Sequence, residues 1–373
     1  GRERAAACAG GGRDLDLDLD RDRDPDLDRD PDRDRDLDRD PDPDRDPDPG
    51  RDPVLDRDPG PGPRRDRDPG RNRDPGRDRD AARERLDPAA KVRLASEADL
   101  YAALGLAYVP PELREDQGEV EAARDGTLPA DLVRVEDVRG LVHCHTTASD
   151  GRATLLEMAR AADALGAEYL TVTDHSRSAG YAGGLDEDRL RRQWDEISRV
   201  QEQVKVRLLR GTESDVLEDG ALDYPDRILE QLDVVVASVH SRMKMDEDQM
   251  TRRLVRCMAL PVFKIWGHAL GRLLLDREPF ACRVEDVLDA LAAARGAVEV
   301  NGDPRRLELE PRWLRAATAR RIPVVLSVDA HATSELGYLR WAVAVARRGW
   351  VRRGEVLNAL PAEAFRAAVR PIA

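Results

Sequence analysis

From about residue 140 to residue 330, short apolar runs rich in Val, Leu and Ile alternate with amphipathic stretches. The apolar runs cover 140–145, 168–174, 206–213, 233–240, 262–268, 297–301 and 323–329. Helical spacing fills 154–165, 186–204, 246–258, 284–294 and 312–321 between them. Strands that alternate with helices predict a parallel sheet, and runs this uniformly apolar predict strands buried on both faces. Seven such units predict an α/β fold, a distorted TIM-like (β/α)7 barrel closed one unit short of the usual eight. An open doubly wound sheet is the alternative, but no Gly-rich phosphate loop follows the first strand. Upstream, 97–104 reads as a helix that Pro110-Pro111 ends, and 114–123 as a solvated, Glu-rich connector.

Composition divides the chain further. Of the formal net charge of -14 on 373 residues, residues 1–80 carry -8, from 19 Arg against 26 Asp and one Glu, and they hold 12 of the 24 prolines. Near-dipeptide repeats of Arg, Asp and Pro cannot bury enough apolar surface to offset chain entropy, so a disordered tail is expected over 1–88. Its mixed charge is neither a basic nucleic-acid arm nor a purely acidic one. A helical connector is expected over 89–138 and one folded domain over 139–373. The chain starts at Gly1 rather than Met, which reads as a fragment or a doubtful gene start. No apolar run reaches 18 residues, no signal peptide is visible, and the four cysteines show no C-x-x-C spacing, so no membrane and a reduced, cytoplasmic setting are expected.

The chemistry lies at the strand ends. All six histidines fall there: His143 and His145 on the first strand, then His175, His240, His268 and His331. Glu213 ends the third strand, Asp150 follows the first in a turn, and Asp329 stands two residues before His331. Side chains at i and i+2 of a strand leave one face, so His143 and His145 reach one point while Cys144 faces away, and Asp329 and His331 repeat the geometry. If the barrel closes, these two pairs are neighbours on the rim where barrel active sites sit. Six imidazoles and three carboxylates make a ligand set for two to three divalent ions, Mn or Zn, with Fe as a further option, and Glu213 bridging two of them. Clustered ions predict hydrolysis by a metal-activated hydroxide, and a phosphate ester is the natural substrate because its oxygens can ligate metal. Lys244, Arg272, Arg305 and Arg306 are candidates for binding the rest of that substrate. Asp174 is expected to orient a ligand or cap a helix, and Asp215 is left open between ligand and support.

Several motifs then become familiar. His143-Cys144-His145-Thr146, Thr173-Asp174-His175-Ser176, Gly211-Thr212-Glu213, Ala237-Ser238-Val239-His240-Ser241, Gly267-His268 and Asp329-Ala330-His331 resemble the successive motifs of the PHP (polymerase and histidinol phosphatase) family. The resemblance covers about residues 135–373. It is more specific to the C-terminal PHP domain of bacterial family X DNA polymerases, through Ala182-Gly183-Gly184-Leu185, Gly271-Arg272-Leu273-Leu274, the stretch from Asn301 to Leu307 and Ala346-Arg347-Arg348-Gly349-Trp350. It implies a PHP-type barrel, a trinuclear site and a Mn²⁺- or Zn²⁺-dependent 3′–5′ exonuclease or 3′-end-processing activity on DNA. Ala148 departs from the aromatic common there, and Ala269-Leu270 from the usual Pro-Thr. The Arg-Asp-Pro tail stands where that family has its polymerase body, so polymerase activity is not carried over.

The expected function is therefore a metal-dependent phosphoesterase acting on DNA 3′ ends, with its general acid unassigned and a DNA polymerase in trans as a further partner. A phosphomonoesterase acting on a small phosphate ester, such as histidinol phosphate or a nucleotide, is the first alternative. The mild acidity of residues 81–373 suits that alternative, since no strong basic field steers DNA there. A non-catalytic, metal-stabilised scaffold for a polymerase is the second.

Overall fold

Each of the seven apolar runs becomes a strand in the computed structural model, which describes residues 95–371. They are β1 (Gly140–Cys144), β2 (Tyr169–Val172), β3 (Arg207–Asp215), β4 (Val234–Ser238), β5 (Ile265–Trp266), β6 (Ala297–Asn301) and β7 (Val324–Ala330). All pair in parallel in sequence order, and β7 returns to β1, so the barrel is closed and the open-sheet alternative falls away. The disorder expected over 1–88 lies outside the described residues.

Helices fill the predicted intervals and extend beyond them: α1 (Glu97–Ala103), α2 (Glu119–Asp125), α3 (Leu155–Ala164), α4 (Glu187–Gln201), α5 (Asp226–Leu229), α6 (Glu247–Met258), α7 (Val284–Ala293), α8 (Pro311–Ala319), α9 (Leu339–Arg348) and α10 (Ala362–Val369). Local chemistry starts them. Thr154 and Glu157 form a reciprocal capping box on α3, Asp186 caps α4, Asp246 caps α6, and Pro311 opens α8. No helix among the described residues is long and apolar enough to cross a membrane, and Cys144, Cys257 and Cys282 are free and buried.

Strand periodicity sorts side chains between the lumen and the helical shell. Val142, Leu209, Val234, Ile265, Ala297 and Val325 share one apolar cluster in the lumen. Their neighbours Val235, Val298, Leu326 and Trp266 pack outward against the helices. Counting in twos from that lumen layer, β3 runs Leu209, Gly211, Glu213, Asp215; β4 runs Val234, Val236, Ser238 and on to His240; β7 runs Val325, Ser327, Asp329 and on to His331. These three strands thus turn from apolar to polar toward their carboxyl ends. A Cβ on Gly267 would come within 2.4 Å of both Val236 and Ser238, so the lumen has no room for a side chain there.

The amino end of the barrel is sealed. α10 brings Phe365 onto Tyr169, with ring centroids 5.0 Å apart and planes at 25°. Asn358 clips the closing seam: its Oδ1 accepts from Leu326 N at 2.9 Å, and its Nδ2 donates to Gly140 O at 3.0 Å and Leu326 O at 2.8 Å.

The expectation of a solvated connector over 114–123 is not met. α2 buries Ala122 and Ala123, and Glu119 accepts from the Asp116 and Gln117 amides. The cause is tertiary: Arg347 pairs with Glu112 at 2.6 Å, Arg348 pairs with Glu115, and Arg315 donates to Gln117 O while covering the Trp350 ring at 4.0 Å.

Candidate metal centre

The polar half of the lumen brings together all nine residues expected from the sequence. Glu213, in phase with Leu209 on β3, stands at the middle and is buried. Its Oε1 lies 3.3 Å from His143 Nε2, 3.3 Å from His240 Nε2 and 2.7 Å from His268 Nε2; its Oε2 lies 2.9 Å from His175 Nδ1 and 3.7 Å from His145 Nε2. One carboxylate therefore faces five imidazoles, three on one oxygen and two on the other. Asp329 Oδ1 sits 3.6 Å from His143 Nε2 and 3.4 Å from His145 Nε2. Asp150 Oδ2 closes the outer side, 3.4 Å from His175 Nε2 and 3.5 Å from His331 Nε2. Asp150 and His331 keep 32% and 24% of their side-chain surface exposed, which marks the mouth of the site.

Both ends of the seam bend to make this convergence. His143 has φ +68° and Asp329 has φ +47°, and the β1 register slips against both neighbours there. Without that bulge Val142 and His143 would point to opposite faces; with it, both enter the lumen. Positive φ in non-glycine residues costs of order 1–3 kcal/mol each and is held only by its surroundings.

The donor set fits divalent cations. His145, Asp150, His175 and His331 offer atoms all within 4.8 Å of one another, as do His143, His145 and Asp329, and His175, Glu213 and His240. His143 Nε2, both His145 ring nitrogens, His175 Nδ1 and His268 Nδ1 are buried with no hydrogen-bond partner. Buried polar atoms are costly when unpaired, so a cluster of bare imidazole nitrogens around carboxylates calls for cations.

Electrostatics divides the imidazoles: against the effect of burial, the facing carboxylates raise His143, His175, His240 and His331, while His145 and His268 are lowered. Burial, with His331 and His175 adding to it, pulls His145 down to about 3. Burial and Arg306 pull His268 down to about 4, so both imidazoles are neutral near pH 7, the form that donates a lone pair. Burial works against ionisation of Glu213 and Asp329, but the surrounding imidazoles outweigh it and hold both carboxyls well below the usual range. His143 is pushed the other way: burial opposes its charge, yet Glu299, Asp329 and Glu213 raise it well above an ordinary histidine.

The supporting shell was only partly visible in the sequence. Glu299 was missed. It points inward from the middle of β6, 2.6 Å from His143 Nδ1, and also accepts from the His268 amide, so it fixes the outer nitrogen of one ring and the backbone of another. The available signal was a lone Glu inside the apolar run Ala297-Val298-Glu299-Val300. Asp215, left open between ligand and support, bonds His240 Nδ1 and accepts from Ser178 Oγ at 2.6 Å. A carboxylate behind an imidazole sets the tautomer and aims Nε2 inward. Asp174 orients no histidine and caps no helix. It accepts from the Thr146 amide and hydroxyl, the Ser149 amide and hydroxyl, and Gln193, and thereby holds the turn that carries Asp150.

The four basic candidates separate. Arg306 is nearly buried, its Nε 3.1 Å from Asp329 Oδ2, and its Nη1 has no partner. Arg272 is spent on the chain itself, donating to the Arg306 and Leu307 carbonyls and pairing with Glu310 at 3.1 Å; it braces the loop that carries Arg306. Arg305 is exposed and pairs with Asp303, and Lys244 is exposed on the loop between β4 and α6.

No protein-family model matches the chain. The chain is 35% identical over 265 residues to the DNA polymerase/3'-5' exonuclease PolX of Bacillus subtilis, a match that takes in 71% of this chain and 46% of that protein, so less than half the length of that relative is represented. It is 36% identical over 204 residues to a protein of Acetivibrio thermocellus named "Probable phosphatase", covering 52% of this chain and 80% of that one. Among solved structures, histidinol phosphate phosphatase from Lactococcus lactis, complexed with zinc, L-histidinol and phosphate, overlays with a TM-score of 0.42 at 17% identity, over 56% of this chain and 93% of that one. On these sequence relationships and its closed seven-stranded barrel, the chain belongs to the PHP (polymerase and histidinol phosphatase) family of metal-dependent phosphoesterases.

Proposed function

We propose that the chain is a phosphodiesterase that shortens DNA from its 3′ end, with two to three divalent ions held by His143, His145, Asp150, His175, Glu213, His240, His268, Asp329 and His331. The observation that carries this reading is Glu213, whose two oxygens face three imidazoles on one side and two on the other, as a carboxylate shared between neighbouring ions would. Ions bound there would supply an activated water and positive charge for the attacking and leaving oxygens. The chain's own groups do the rest. Glu299 and Asp215 hold the outer nitrogens of His143 and His240, which leaves both Nε2 atoms free to face inward. Arg306, held by Asp329 through its Nε and by Arg272 through its backbone carbonyl, has in its buried, unpaired Nη1 a donor that could serve a phosphate oxygen.

A small-ester phosphatase is the second reading, favoured by relatives named as probable phosphatases, one of which is covered over 88% of its length. The diester reading is supported by the extent of likeness: the PolX match takes in 71% of this chain, against 58% and 52% for two of the probable phosphatases. The test is to load the full chain with Mn²⁺ or Zn²⁺ and offer 5′-labelled DNA and histidinol phosphate side by side. Stepwise shortening of the DNA is expected. Phosphate release from the small ester alone would establish the second reading, and hydrolysis of neither, with metal bound, would leave the chain as a scaffold.

A further inference from the structure

Among the described residues, one aromatic side chain beside the centre is not used by anything described so far. Tyr181 sits on the one-turn 3-10 segment Gly180–Ala182, in the connection between β2 and α4. It keeps 67% of its surface exposed, yet its ring centroid is 6.1 Å from that of His175 and 6.3 Å from that of His240, edge-on to both. Among the described residues its hydroxyl has no hydrogen-bond partner. Arg306 and Arg277, on the loops after β6 and β5, lie within Coulombic reach of it.

The foundation under this ring is rigid. Ser176 bridges to Leu185, and the Leu185 amide donates to His175 O at 2.8 Å. Ser178 donates its amide to Asp223 and its hydroxyl to Asp215, each at 2.6 Å. Gly183 takes φ +64°, and a Cβ on Gly184 would fall 1.9 Å from Ser176 O, so this tight path accepts no side chain at Gly184. Arg189 then fastens the Gly183 and Gly184 carbonyls from α4. A large, amphipathic ring on so tightly fixed a turn is a preformed contact surface rather than a stray surface residue.

We infer that Tyr181 is a substrate-positioning residue that stacks on the unpaired base of the terminal nucleotide whose phosphate is held over the histidine cluster. This rests on the proposed 3′-end-shortening function and narrows its substrate to ends that present a nucleobase one sugar away from the scissile phosphate. Stacking suits this position because every base has a π face, so the contact would fix the end without reading its sequence. Arg306 at the phosphate and Tyr181 at the base would then hold the two ends of one nucleotide.

The test uses the full Mn²⁺-loaded chain and 5′-labelled single strands that end either in an ordinary nucleotide or in an abasic one. Tyr181→Ala is expected to raise KM for the base-bearing end roughly 5- to 100-fold with a smaller change in kcat, and Tyr181→Phe to restore KM to within about threefold. On the abasic end the wild type and Tyr181→Ala should behave alike. An unchanged KM in Tyr181→Ala on the base-bearing end overturns the inference alone, as does an equal loss on both ends. Failure of Tyr181→Phe to restore binding assigns the contact to the hydroxyl and overturns stacking. No shortening by the wild type overturns the proposed function, and this inference with it.

Discussion

The two halves of the barrel lumen are built from the same strands on the same period of two, and they have opposite chemistry. Toward the amino ends, Val142, Leu209, Val234, Ile265, Ala297 and Val325 share the apolar cluster that holds the Tyr169–Phe365 stack. One to six residues further along, Glu213, Glu299, Asp329 and the histidines fill the same lumen with bare nitrogens, crowded carboxylates and two positive-φ residues. The lower half stabilises; the upper half, without cations, costs free energy. A closed barrel tolerates such a centre because each strand is anchored below by close-packed apolar contacts before it reaches the site. Depth along the strand, rather than the identity of the strand, divides stability from chemistry.

Breaking each half separately should therefore give opposite phenotypes. Glu213→Ala is expected to reduce hydrolysis on the order of 10³-fold or more and to weaken the thermal stabilisation that added Mn²⁺ confers. Substantial retained hydrolysis would remove Glu213 from the centre. Phe365→Ala, in the seal, should cost about 3–5 kcal/mol in denaturant unfolding and leave the activity per folded molecule nearly intact. A Phe365→Ala protein of wild-type stability but lowered kcat would undo the separation of the halves.

Glu308 sharpens the boundary because it lies outside the proposed ligand set yet is buried in the polar half, where it accepts from Leu270 N at 3.0 Å. Burial pushes its carboxyl up to about 7, against the pull of Arg306 and the Leu270 amide. With the folded-state value raised above the unfolded one, the folded protein binds the extra proton between about pH 4.5 and 7. The contribution of Glu308 to stability should then fall as pH rises through that window and level off above it, a loss of about 3 kcal/mol that opposes the gain from His145 and His268 in metal-free protein. Glu308→Gln should remove that contribution, so the gap in denaturant midpoint between wild type and variant should differ between pH 5 and pH 8; the same gap at both would take Glu308 out of the pH dependence. The smallest effect is expected at Glu299→Gln, which keeps the shape behind His143 but removes its charge: about 10- to 100-fold weaker metal binding by calorimetry, with the barrel still folded. Unchanged affinity would make Glu299 a purely structural floor.

Much of this molecule was legible in one dimension. The alternation of apolar runs and capped helices specifies seven parallel strands, because periodicity and capping are local properties of the chain. Placing six histidines, Glu213, Asp150 and Asp329 at strand ends follows from the same reading, since a parallel barrel carries every carboxyl end to one rim. What lay across the barrel was not legible. That Glu299 touches His143, that Asp215 backs His240 while Asp174 holds the Asp150 turn, that Arg272 braces the chain and Arg306 pairs with Asp329, and that Glu112 and Glu115 pair with Arg347 and Arg348 all depend on residues far apart in sequence. Sequence alone determined which residues are carried to the rim. Tertiary structure decided which of them face one another there, because the seam bulge at His143, the closure of β7 onto β1 and the depth of each side chain in the lumen are set by packing between strands and have no counterpart in local periodicity.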